Sequence, residues 1–114
     1  MTAAPRLGVR VQHGAHGKVL IEVSGELDFA AVEELRAPLM PATEQGTVVL
    51  DLSGVTFCDS SGVRTLVEAD RSAREHGGAF CIAAPSEDVL RVLTLTKTDM
   101  TLEVFPDVDT AMAR

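Results

Sequence analysis

The sequence has no Trp, no Tyr and only four Phe in 114 residues. Stacking platforms for nucleic-acid bases are therefore almost missing, and the core must be built from Val, Leu, Ile and Ala. Basic residues are also few. Ten Lys and Arg against 17 Asp and Glu leave a formal net charge of −7. Phosphate backbones and anionic lipid both select Lys and Arg, so neither nucleic acid nor membrane is an expected partner. An acidic surface suits a partner with a basic contact patch, and it also keeps a protein soluble. No apolar run approaches a membrane span, and the opening MTAAPRLGVR is too polar for a secretory signal. The cytoplasm is the expected location.

Several chemistries lack their signatures. There is no cysteine pair at zinc spacing, no H-E-x-x-H, no dinucleotide glycine fingerprint and no P-loop. No metal, cofactor or nucleotide site is expected. The two cysteines, Cys58 and Cys81, sit inside apolar strand-like runs and read as reduced, buried small hydrophobes, not as a disulfide.

What is present is an alternating pattern. The length fits one domain with a single core, residues 1–114 with an ordered core over 6–113. LGVRVQ (7–12) and KVLIEVSG (18–25) read as strands joined by the turn HGAHG, an antiparallel hairpin. A helix follows Asp28, with Val32, Leu35 and Leu39 at helical spacing and Asp28 as its cap; Pro38 should kink or shorten it near Ala37. TVVLDL (47–52) is almost continuously apolar, as in a strand covered on both faces. A second helix carries Val63, Leu66, Val67 and Ala73 inward and stops at Gly77. AFCIAA (79–84), a helix from Ser86, the strand LEVF (102–105) and a short closing helix complete the order β-β-α-β-α-β-α-β-α. This is an α/β chain with a mostly parallel sheet and an N-terminal antiparallel strand. In such sheets functional groups gather beyond the C-terminal strand ends, here SGELD and TFCDSSG.

CDSSGV (58–63) joins a buried strand to a helix and carries two hydroxyls and a carboxylate. One of Asp59, Ser60 and Ser61 caps the helix, but a cap requires a single residue. Gly62 is a poor helix former and is useful where something approaches the backbone closely, which suggests a partner's backbone or a phosphate. A nucleophilic serine needs a base and an orienting partner, and the topology brings none of His13, His16 or His76 near Ser60. An enzyme is not expected. A phosphoacceptor suits the place, because free N–H groups and the helix dipole favour a phosphate there.

On three stretches the chain resembles the anti-sigma factor antagonists, a branch of the STAS domain family: SGELDFA, LDLSGVTFCDSSGVRTL, and the segment from REHGG to DTAMA. The resemblance implies a STAS fold and a phosphorylated serine directly after the Asp of the Asp-Ser-Ser/Thr-Gly motif, which is Ser60. It implies partner switching. The unphosphorylated form binds an anti-sigma factor that is also its serine kinase and thereby frees a sigma factor; phosphorylation reverses this, and a PP2C-type phosphatase resets it. Partner-binding residues are then Asp28, Asp59, Ser60, Ser61 and Gly62, with Asp28 the acidic contact for a partner arginine. The alternative is a free-standing STAS subunit of a stressosome-like or transporter-associated assembly. A monomer or weak dimer is expected. Arg64 stands where a small residue is often seen in relatives.

Overall fold

The computed structural model describes residues 4–114. Its strands are β1 (Leu7–His13), β2 (Lys18–Leu27), β3 (Thr47–Cys58), β4 (Phe80–Ala83) and β5 (Glu103–Phe105), hydrogen-bonded in the order β1-β2-β3-β4-β5. The helices are α1 (Val32–Thr43), α2 (Ser60–Glu75), α3 (Glu87–Leu95) and α4 (Val108–Met112). β1 and β2 pair antiparallel, and every other pair is parallel. The fold is the mixed α/β sheet expected from the alternating pattern.

The strand sequences explain which face each helix covers. Side chains alternate across a strand. Val19, Ile21 and Val23 of β2 and Val48, Leu50 and Leu52 of β3 join one core cluster with Leu35 and Leu39 of α1, Leu66 and Ala69 of α2, and Val89 and Leu93 of α3. Val49, Cys81 and Ala83 point the other way, under Ala111 of α4. The apolar run at the start of β3 therefore reflects cover on both faces.

One expectation fails. α1 does not end near Ala37; it runs through Pro38 and Pro41 to Thr43. An interior proline costs a helix about 3 kcal/mol. Both interior prolines carry that cost, and burial along the whole helix offsets it: Val32, Leu35, Leu39, Ala42 and Thr43 are all buried. Packing against the sheet thus holds the last turn in place. α2 ends as its glycines predict: Gly77 has φ +80, and Gly77 and Gly78 donate to the carbonyls of Arg74 (3.2 Å) and Ala73 (2.8 Å), which closes the terminus.

Candidate functional site

β2 and β3 end side by side, with Leu27 opposite Cys58. Both following loops therefore open at one edge of the sheet, as the pattern implied. The Asp59 N–H donates to the Leu27 carbonyl at 3.2 Å, which ties the two strand ends together.

Asp59 organises the junction. It is the N-cap of α2, and its Oδ1 accepts from the N–H groups of Ser61 (2.9 Å) and Gly62 (3.1 Å). Its Oδ2 accepts from the Phe29 N–H across the gap, at 3.1 Å. One carboxylate thus satisfies two orphan donors of α2 and fixes the loop after β2.

With the cap taken by Asp59, Ser60 is the first helical residue and is exposed. Its hydroxyl has no hydrogen-bond partner among the described residues. Ser61 is half-buried, and its carbonyl accepts from Thr65 Oγ1 at 3.1 Å. Thr65 is only 3% exposed.

The space at Gly62 requires a correction. It was read as room for a partner, but a Cβ there would lie 2.7 Å from Cys58 Sγ and 2.9 Å from the Leu27 carbonyl. The close approach is made inside the molecule, where α2 presses on the ends of β2 and β3. Cys58 is a free, buried thiol that burial, and secondarily the Asp59 charge, pushes up to about 12. It stays protonated and unreactive at neutral pH.

Asp28 also departs from expectation. The N-cap of α1 is Ala31, and no side chain caps that helix. Asp28 Oδ1 accepts from the Ala31 N–H at 3.0 Å, and the Asp28 carbonyl accepts from Ala31 and Val32 at 3.1 and 2.9 Å. Phe29, Ala30 and Ala31 form a turn between the carboxylate and the helix, so Asp28 closes that turn instead of capping α1. The residue is half-buried and lines a shallow cavity of about 280 Å³ with Arg6 and Glu26.

Two features escaped the sequence reading. Phe29 is 80% exposed at the rim of the junction. A shallow groove of about 240 Å³ between α1 and α2 is lined by Phe29, Arg36, Ser61, Arg64 and Thr65. Arg36 spans this groove to Glu68 and also meets Glu33 at 3.6 Å, whereas Arg64 makes no ion pair among the described residues. The available signals were an aromatic next to Asp28 in a chain with four, and an arginine four residues after Ser60.

No histidine stands near Ser60, and the neighbouring Asp59 carboxylate is occupied by three N–H donors. His13 and His16 lie at the turn between β1 and β2, and His76 at the far end of α2, all at the opposite end of the sheet. Among the described residues there is no group of three or more His, Cys, Asp or Glu fit to hold a metal ion. No described helix is long and apolar enough to cross a membrane.

The fold and the junction define a small α/β domain whose adjacent strand ends present an exposed serine at the start of a helix capped by Asp59. The family follows from comparison: residues 7–111 match the STAS domain model, and the chain belongs to that family. It is 38% identical over 77 residues to an anti-sigma F factor antagonist from Lysinibacillus sphaericus, covering 65% of this chain and 66% of that protein. An anti-sigma factor antagonist from Mycobacterium paratuberculosis superposes with a TM-score of 0.84 at 26% identity, covering 99% and 97% of the two chains. Unphosphorylated SpoIIAA, an anti-sigma factor antagonist, superposes with a TM-score of 0.72 at 26% identity over 85% and 87%. The phosphorylated form of the Bacillus protein shares the fold.

Proposed function

We propose that this chain is a cytoplasmic anti-sigma factor antagonist switched by phosphorylation of Ser60. The unphosphorylated form binds an anti-sigma factor that is also its serine kinase, and a sigma factor is released. Phosphorylation ends binding, and a PP2C-type phosphatase restores it. The observation that carries the reading is differential access: of the three hydroxyl residues on the first turns of α2, Ser60 is exposed, Ser61 is half-buried, and Thr65 is buried with its hydroxyl bonded to the Ser61 carbonyl. The names of the similar proteins support the antagonist role, and the existence of SpoIIAA in two phosphorylation states supports the switch. Asp28 supplies an acidic contact to a basic group on the partner, beside Asp59, Ser60 and Ser61.

A phosphate at this position acts on the interface and not on the fold. It adds about −1.5 to −2 charges at the positive end of a helix dipole, where anions are tolerated. Against a partner's phosphates or acidic side chains the same charge costs several kcal/mol, or about two orders of magnitude in affinity. The test combines mapping with binding. Incubation with ATP and candidate kinases from the same cell, followed by mass spectrometry, should place the phosphate on Ser60. The phosphoprotein and Ser60→Asp should then bind the anti-sigma factor about a hundredfold more weakly at an unchanged thermal midpoint. Phosphate on Ser61 or Thr65, or phosphoprotein that binds normally, refutes the mechanism.

A further inference from the structure

The geometry points to Arg64 as the resident counter-charge for a phosphate on Ser60, an inference that rests on the phosphoacceptor reading above. Ser60 and Arg64 lie four residues apart at the start of a 16-residue helix, and both are exposed. Residues at that spacing are neighbours on one face. Helical side chains also lean toward the N-terminus, so a long side chain at Arg64 covers the turn that carries Ser60. The order, anion before cation, is the favourable one for a helical pair.

The surroundings leave Arg64 free for this role. Its own neighbour one turn further on, Glu68, is engaged by Arg36 of α1, which also meets Glu33. The nearby Asp59 carboxylate already accepts three N–H donors. Arg64 therefore remains unpaired on the rim of the α1–α2 groove until a second anion appears beside it. Modification of Ser60 then changes two groups at once. It adds a dianion at the helix start, and it withdraws a free cation from the surface that a partner would meet.

The test uses the full chain with phosphoserine incorporated at position 60 during synthesis, so no kinase is required. A ³¹P NMR titration reads the second pKa of the phosphate. Arg64→Gln should raise that pKa by about 0.3 of a pH unit, because the dianion loses its partner. Arg64→Lys should restore most of the shift, and concentrated salt should erase the difference. Arg71→Gln removes another exposed arginine further along α2, one with no ion pair among the described residues, and should leave the titration unchanged. Superimposable curves for the parent and Arg64→Gln, or an equal shift from Arg71→Gln, overturn the inference. Its failure is separable from that of the proposed function: an absent kinase leaves this titration intact, and efficient phosphorylation without the shift removes only the role of Arg64.

Discussion

The β2–α1 and β3–α2 junctions each place an aspartate directly after the last residue of a strand, and the two carboxylates do different things. At Asp59 the helix begins with the next residue, so Oδ1 reaches two of its free N–H groups and Oδ2 is left to hold Phe29. At Asp28 a turn intervenes, and the side chain closes that turn while α1 begins with no side-chain cap. A preferred capping residue caps only if the chain enters the helix at once. The consequence is a structural division between the two junctions. The β3–α2 junction places the Ser60 hydroxyl at the start of a capped helix. The β2–α1 junction carries a carboxylate with one side-chain hydrogen bond and an exposed aromatic, which under the proposed function are its contact groups.

Replacing each aspartate by alanine turns this comparison into a measurement. Asp59→Ala removes three hydrogen bonds, two of them from a helix N-terminus, and should lower stability by about 2–3 kcal/mol in urea unfolding. Asp28→Ala loses a single turn bond and should cost about 0.5–1 kcal/mol. Equal losses would erase the distinction between the junctions.

Legibility in the sequence followed the same division. The succession of strands and helices, the two-sided burial of β3 and the glycine stop of α2 were readable because alternation, apolar runs and C-terminal glycines report local physics. The clustering of both junctions at one edge followed from topology. Pro38 misled because burial of Leu35 and Leu39, a tertiary effect, outweighs a local helix breaker. Gly62 misled because the atoms that need its missing side chain, those of Leu27 and Cys58, come close only after β2 and β3 pair. The reach of Asp59 to Phe29, 30 residues away in sequence, has no local signature at all.

Ser60→Ala sharpens the comparison with a smaller effect. Since Asp59 and not Ser60 caps α2, and the Ser60 hydroxyl is free, the change should alter stability by less than about 0.5 kcal/mol while removing the phosphoacceptor. A loss near 1 kcal/mol in urea unfolding would transfer the cap to Ser60 and make the first turn less independent of the switch than the geometry indicates.

The smallest effect concerns how α1, lacking its own cap, is fastened. Glu34 in its first turn accepts the Arg6 N–H at 2.8 and 3.1 Å and the Leu7 N–H at 2.9 Å, which ties the helix to the start of β1. These N–H donors, Leu7 first and Arg6 second, hold the Glu34 carboxyl below its ordinary value of 4.5. A carboxyl depressed in the folded state stabilises the fold above its unfolded pKa, and that contribution is lost as pH falls through the folded value. Glu34→Gln keeps an acceptor oxygen but not the charge. The variant should therefore be slightly less stable than the parent at neutral pH, and the gap should close as pH drops below 4.5. Paired urea titrations across the acid range give the answer. A gap that persists undiminished in acid would mean that the amide fails through its shape and not its missing charge, and that α1 is held to β1 by geometry alone.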